Sequence, residues 1–184
     1  MKKIALLSLA AALTLSVAVP SALAGDPLTA GTTAPGFTLP SQDNSPISLS
    51  EYKGKWVVLY FYPKDFTGGC TLDAHNFQRD LDKFKTANAV VLGVSLDTAD
   101  SHKSFCTKES LSFKLLADPS HKVVDEYGVP VKTFDNPNTH EKVTIAMRQT
   151  FLIDPSGKIV KFWDVKDIAN HSADVLAAIA DGGK

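Results

Sequence analysis

Apolar residues along this chain fall into two kinds of run, and their alternation predicts an α/β domain. "WVVLYFY" (Trp56–Tyr62) and "AVVLGVSL" (Ala89–Leu96) are continuous apolar stretches bounded by turn residues, the pattern of central strands covered on both faces. Between them, Phe77, Leu81 and Phe84 recur at i, i+4 and i+7, one face of an amphipathic helix. Asp97 to Asp100 then supply capping residues for a helix through Phe105, Cys106 and Ser110. "FKLLADP" reads as a short strand and "HKVVDEYG" as a helix closed by Gly128. The polar "KTFDNPNTHEKV" predicts a loop or the tip of a hairpin. In "TFLIDPSGKIVKFW" two strands flank Asp154 to Gly157, with Asp at i, Pro at i+1 and Gly at i+3 of a type I turn. "HSADVLAAIA" closes the chain as a helix burying Val175, Leu176 and Ile179, while "GDPLTAGTTAPGFTLPSQDNSP" is a lead-in with short strands at most. The order implies one domain without repeats: a mixed sheet with helices on both faces.

The first 24 residues break this pattern. Lys2 and Lys3 precede an apolar run from Ile4 to Val19, then Pro20 and Ala22-Leu23-Ala24. A charged start, an apolar middle and a small-residue site predict a secretory signal cleaved after Ala24, and the run is short for a membrane span of about 20 residues. The expected mature domain is 25–184, long enough for one sizeable core, and the expected location is the periplasm. The formal charge of −1, two units more negative once Lys2 and Lys3 are removed, gives no reason to expect nucleic acid or an anionic membrane as a partner. Export also bears on the two cysteines, Cys70 and Cys106. Where disulfides persist, a pair is by itself more often a structural staple than a reactive couple.

Against that stands the setting of "PKDFTGGC" (Pro63–Cys70), directly after the most apolar strand. Pro63 cannot continue the ladder and ends the strand. Thr67 brings a hydroxyl to the start of the next helix, and Gly68 and Gly69 let backbone N–H groups approach the sulfur. Cys70 then falls in the first helical turn, where free N–H groups and the positive end of the dipole favour a thiolate, the nucleophilic form. Singly, these residues are a strand terminator, an N-cap and a tight turn; the ordered set P-x-x-x-T-x-x-C after a buried strand is far less expected by accident. Arg148, one of only two arginines, lies at the start of the apolar strand in "IAMRQTFLID", where a charge wants a partner. Its rigid donor fork could hold both a thiolate and an oxygen, or it is a strand-end ion pair. Arg79, the other, reads as a surface ion pair.

"YFYPKDFTGGCT" with "RQTFLIDPSGKI" resembles the peroxiredoxins, of the bacterioferritin comigratory protein or Prx-Q type. "APGFTLPSQDNSPISLSEYKGKWVVLYFYP", "VLGVSLD", "SFKLLADPSHKVVDEYGV" and "FWDVKDIANHSADVLAAI" extend the similarity over nearly all of 25–184. The resemblance implies a thioredoxin-like α/β fold and a cysteine peroxidase with no metal or organic cofactor. It implies that Cys70 is the peroxidatic cysteine, that Thr67 hydrogen-bonds the sulfur and the bound peroxide, that Pro63 shields the pocket and that Arg148 supports the developing charge. It further implies hydrogen peroxide or an organic hydroperoxide as substrate, a thioredoxin-like protein as reductant, and a monomer.

The chain departs from the family pattern at three places. Gly68 stands where proline is frequent, Asp73 where glutamate is frequent, and His75 where many relatives carry a second cysteine. Cys106 is the remaining thiol, and a family subgroup keeps its resolving cysteine in that helix, an atypical 2-Cys arrangement. A disulfide needs Cα atoms within roughly 4.4–6.8 Å, which cysteines on two helices do not readily meet. Both thiols are therefore expected reduced and apart at rest, with local unwinding around "CTKESLSF" needed to join them. His75 reads as an exposed helix residue rather than a soft-metal ligand beside Cys70, and His171 as structural. Two other functions remain open: a thiol–disulfide oxidoreductase, which would want a C-x-x-C that is missing, and a non-catalytic module stapled by a Cys70–Cys106 disulfide.

Overall fold

A short hairpin, β1 (Thr38–Pro40) and β2 (Pro46–Ser48), and a 3-10 turn over Leu49–Tyr52 lead into β3 (Trp56–Phe61). The structure is a computed structural model describing residues 28–137 and 139–183; the expected leader lies outside the described residues. After β3 come α1 (Gly68–Thr86), β4 (Ala89–Ser95), α2 (Ala99–Glu109), β5 (Lys114–Ala117) and α3 (Lys122–Glu126). They are followed by β6 (Val131–Asp135), β7 (Lys142–Ala146), β8 (Gln149–Ile153), β9 (Ile159–Asp164) and α4 (His171–Ala180). The central sheet has the order β5-β4-β3-β8-β9. Its first three strands run parallel, and β8 is antiparallel to both of its neighbours. This is the mixed sheet that the alternation of elements predicts.

The continuous apolar run of β3 is explained by its two covered faces. Val58 and Tyr60, with Tyr62 beyond the strand end, pack with Phe77 and Phe84 of α1, Phe105 of α2 and Val175 of α4. Val57, Leu59 and Phe61 pack on the other side with Leu39, Ile47, and Val123, Val124 and Tyr127. A Cβ on Gly93, which pairs with Tyr60 across the sheet, would lie 2.7 Å from the Tyr60 ring and 2.6 Å from Leu115. Only a glycine lets that ring lie flat over β4. The turn after β8 forms as expected: Gly157 N–H donates to the Asp154 carbonyl (2.9 Å), and the Asp154 carboxylate accepts from Ser156 and Lys158 N–H groups.

The polar segment is, of the two expected forms, the tip of a hairpin: β6 and β7 pair antiparallel on either side of it. Every residue of β6 is exposed. β7 is half-buried and only its last residue, Ala146, reaches the core, so no apolar alternation marks β6, and cross-strand pairs such as Thr133–Thr144 (2.9 Å) help hold the ribbon.

Candidate active site

The chain between β3 and α1 turns within a few residues, for reasons visible in the sequence. Tyr62 N–H still bonds the Val94 carbonyl (3.0 Å), but half-buried Pro63 has no N–H to offer and the ladder stops. Phe66 adopts φ of 62°, a left-handed conformation that costs an aromatic residue on the order of 1–3 kcal/mol. Its ring is held edge-on to Phe105 at 5.1 Å, with the Lys108 ammonium 5.4 Å from its centroid. Thr67 is the N-cap residue of α1, but its hydroxyl donates to the Lys64 carbonyl (2.9 Å) rather than capping the helix or reaching the sulfur. Thr67 therefore closes the loop and leaves its oxygen lone pairs exposed.

Cys70 sits in the first turn of α1, only 2% exposed. Arg148, immediately before β8, reaches across: its Nη2 donates to Cys70 Sγ at 3.1 Å and its Nη1 to Asp73 Oδ2 at 2.8 Å. Burial works against the guanidinium charge, but Cys70 and Asp73 more than offset it and hold Arg148 above the ordinary arginine value. Of the two readings of Arg148, the fork spanning a sulfur and a carboxylate is the one found. The second carboxylate oxygen of Asp73 lies 3.0 Å from His171 Nδ1. Neither Asp73 nor His171 was expected to belong to the site. Asp73 was findable, since i+3 from Cys70 places it on the same helix face; His171, on a distant helix, carried no local signal. Gly69 lies against this group: its Cβ would be 3.6 Å from Arg148 Nη2 and 3.4 Å from Ile168.

Cys106 lies in α2, 7% exposed, and both cysteines are free thiols. Burial, aided by Asp65 and Asp43 and opposed by Lys114, pushes the Cys106 thiol up to about 12. In place, it is a protonated and unreactive thiol. The two cysteine-bearing segments are joined by a buried polar network at Asp65. Its carboxylate accepts from the Tyr62 hydroxyl (2.7 Å) and the Ser101 hydroxyl (2.7 Å) and meets His102 Nδ1 at 2.9 Å. His102 Nε2 faces the Leu116 carbonyl at 3.2 Å. With the Tyr62 hydroxyl also 3.2 Å from Nδ1, the His102 ring is fixed between Asp65 and the Leu116 carbonyl. Burial would raise the Asp65 carboxyl, but the bonds from His102, Ser101 and Tyr62 outweigh it and keep it below the usual carboxylate range. The first turn of α2 is thus fastened to the loop that precedes Cys70.

The far end of α2 is held on the surface. His75 Nε2 lies 3.0 Å from Glu109 Oε2, and Ser112 N–H donates to Gln78 Oε1 at 2.8 Å. His75 is exposed, as expected; Arg79 is exposed too, but its partner Asp80 is buried and also accepts from Lys83 and Ser172. Among the described residues, no three His, Cys, Asp or Glu side chains gather as a metal site.

Residues 30–162 match the AhpC/TSA family. Among curated proteins, the chain is 41% identical over 149 residues to a protein named putative peroxiredoxin bcp of Coxiella burnetii, covering 81% of this chain and 97% of that one. It is 38% identical over 152 residues to peroxiredoxin Bcp of Bacillus subtilis, covering 82% and 94%. Among solved structures, peroxiredoxin Q of Xanthomonas campestris superposes with a TM-score of 0.71 at 36% identity, covering 80% of this chain and 92% of that one.

Proposed function

The chain belongs to the AhpC/TSA family, as a thiol peroxidase of the peroxiredoxin Q/Bcp type on a thioredoxin-like fold, and from that premise we propose which residues carry its cycle. Cys70 is the peroxidatic nucleophile. Its thiolate attacks one oxygen of the peroxide, an S–O bond forms as the O–O bond breaks, and the alkoxide or hydroxide released takes up a proton. Cys70 is left as a sulfenic acid. Arg148 faces the sulfur and supports the charge that moves from sulfur to the leaving oxygen. Thr67, through its open lone pairs, and Pro63, beside the pocket, orient and shelter the peroxide. Cys106 is the resolving cysteine. After local unwinding of α2 its thiolate attacks the Cys70 sulfur, an S–S bond forms, and the hydroxyl leaves as water. A thioredoxin-like dithiol then reduces the disulfide, oxidising itself.

The observation that carries this reading is the 3.1 Å hydrogen bond from a buried, carboxylate-anchored guanidinium to the sulfur of a first-turn cysteine. A stapling role for the pair fits poorly, because Cys70 is engaged by Arg148 and Cys106 lies in a separate helix. A similar solved structure, the bacterioferritin comigratory protein of Xanthomonas campestris, is described in terms of its alkyl peroxide reduction activity, which supports organic hydroperoxides as substrates beside hydrogen peroxide. The apolar leader with Lys2, Lys3 and the Ala22-Leu23-Ala24 site supports export to the periplasm of a 25–184 domain. The test is peroxide consumption with a thioredoxin-type reductant. Cys70→Ser should be inactive. Cys106→Ser should consume about one peroxide per chain and then stall with Cys70 trapped as an oxyacid. Sustained turnover by Cys106→Ser would remove Cys106 from the cycle, and turnover by Cys70→Ser would overturn the whole reading.

A further inference from the structure

His171 is the first residue of α4, almost fully buried, and separated in sequence from everything in the peroxidatic site. Its contacts nevertheless lead straight to the reacting sulfur. His171 Nδ1 lies 3.0 Å from Asp73 Oδ1, Asp73 Oδ2 accepts from Arg148 Nη1 at 2.8 Å, and Arg148 Nη2 donates to Cys70 Sγ at 3.1 Å. The proton positions follow from what each group can do. A guanidinium only donates, so Asp73 meets it as a carboxylate and must also be the acceptor toward His171. His171 Nδ1 therefore carries a proton and donates it. The other nitrogen, Nε2, is buried with no hydrogen-bond partner among the described residues, and the imidazole as a whole lies among the rings of Phe77 (centroids 5.1 Å apart) and Trp163 (6.5 Å). An N–H there would have no acceptor, whereas a bare lone pair in an apolar slot is the lesser penalty. The ring is thus a neutral Nδ1–H tautomer whose one polar act is to hold Asp73.

We propose that His171 is a positioning residue for the peroxidase reaction, fixing the Asp73 carboxylate so that the Arg148 fork stays aimed at Cys70. The inference rests on the reading of Cys70 as the nucleophile. An aspartate with one oxygen free could rotate about its side-chain bonds and take the guanidinium with it. With both oxygens engaged, by Arg148 just before β8 and by His171 of α4, the carboxylate has one orientation and Arg148 has one place for its second nitrogen. A small displacement of a group that stabilises developing charge costs far more than its share of the binding contacts. Among the described residues His171 is the hydrogen-bond partner of the second Asp73 oxygen, and its loss would set that oxygen free. Docking of α4 itself does not depend on the contact. Asn76 Nδ2 also donates to the Ile168 carbonyl (3.0 Å) and Ser172 Oγ to Asp80 (2.9 Å), and Val175 and Ile179 pack into the core.

The experiment compares His171→Leu with His171→Asn. Leucine keeps the volume and removes the donor, whereas the asparagine amide nitrogen can occupy the place of Nδ1. For each, the second-order rate of reaction with hydrogen peroxide, its pH profile and the thiolate absorbance near 240 nm are read on protein whose urea unfolding shows it folded. The Leu variant should react at least about tenfold more slowly, the loss of one hydrogen bond to a buried charge. Its rate–pH profile should move to higher pH, its thiolate absorbance near neutrality should fall, and the Asn variant should recover most of both. The charged and titratable groups that face this assembly are Cys70 and Asp73 on α1, Arg148 at β8 and Tyr60 on β3, all unchanged by the substitution. A folded Leu variant with wild-type rate and profile would overturn the proposal, as would Leu and Asn variants impaired alike, which would leave His171 a packing role only. Failure of the underlying reading is separately visible, as peroxide turnover by Cys70→Ser.

Discussion

Raising the pH from about 8 to 10 tests whether folding holds Cys106 as an inert thiol. The measurement is best made in a Cys70→Ser background, so that iodoacetamide labels Cys106 alone. An ordinary thiol titrates near 8.5, so its thiolate fraction, and its labelling rate, would rise only about fourfold over this interval and then level off. Burial among apolar side chains, with Asp65 and Asp43 nearby, pushes the folded Cys106 up to about 12. Throughout the interval the closed helix therefore keeps a proton that the opened helix gives up above about 8.5. The sign follows directly. The protonated closed state is fully stabilised below the open value and loses that advantage as pH climbs toward the folded value, by about 1.4 kcal/mol per pH unit. The population of open thiolate should then grow about tenfold per unit, and labelling about 100-fold between pH 8 and 10. Circular dichroism over the same range would confirm that the domain stays folded. A fourfold rise that flattens near pH 8.5 would refute the reasoning, because it would mean that Cys106 is an ordinary accessible thiol without any opening of α2.

Two further substitutions probe the rest of the assembly. Arg148→Lys should lower the second-order rate with peroxide at least tenfold, since an ammonium cannot donate to Cys70 and Asp73 from one plane; an unchanged rate would reduce Arg148 to a structural partner of Asp73. His102→Leu removes the ring that meets the buried Asp65 carboxylate at 2.9 Å and should destabilise the fold by about 3–5 kcal/mol in urea at neutral pH. Because Asp65 is held below the usual carboxylate range, its stabilisation is present above the unfolded carboxylate value and lost as pH falls through the folded one, so the deficit should shrink in acid. A loss under 1 kcal/mol at neutral pH would contradict the pairing.

Fold and site were legible to different depths. The central strands could be read because burial on both faces leaves an uninterrupted apolar run, and α1 because one face alone is apolar. The β6–β7 hairpin could be read only as a loop or a hairpin tip, since β6 is exposed along its whole length and its pairing is local. Within the site, Pro63, Thr67 and Cys70 lie within one loop and one helical turn, where spacing carries meaning. Arg148 stood out because a charge beside an apolar strand needs a partner, although nothing in the sequence named that partner as Cys70. Asp65, His102 and His171 looked ordinary as letters. Their roles come from tertiary neighbours that supply hydrogen bonds in places closed to water, and a one-dimensional pattern does not encode which polar residues end up there.

The two fastenings of α2 differ in kind, and the difference gives the helix a direction in which to open. At its start, Ser101 and His102 are tied to Asp65 in a site sealed from solvent, where breaking one partner leaves a buried charge and costs about 3–5 kcal/mol. At its end, His75–Glu109 and Gln78–Ser112 are surface contacts, of the sort worth about 0–1 kcal/mol each. Ser110 closes the helix in a left-handed conformation, φ 55°, that only glycine adopts freely. Fraying therefore begins at Glu109 and runs back toward Cys106 well before it can reach His102. In the proposed cycle this sets Cys106 free while Asp65 still holds the loop carrying Phe66 and Thr67. The resolving thiol can then travel to the sulfenic acid while the loop that presents Cys70 remains anchored from beneath.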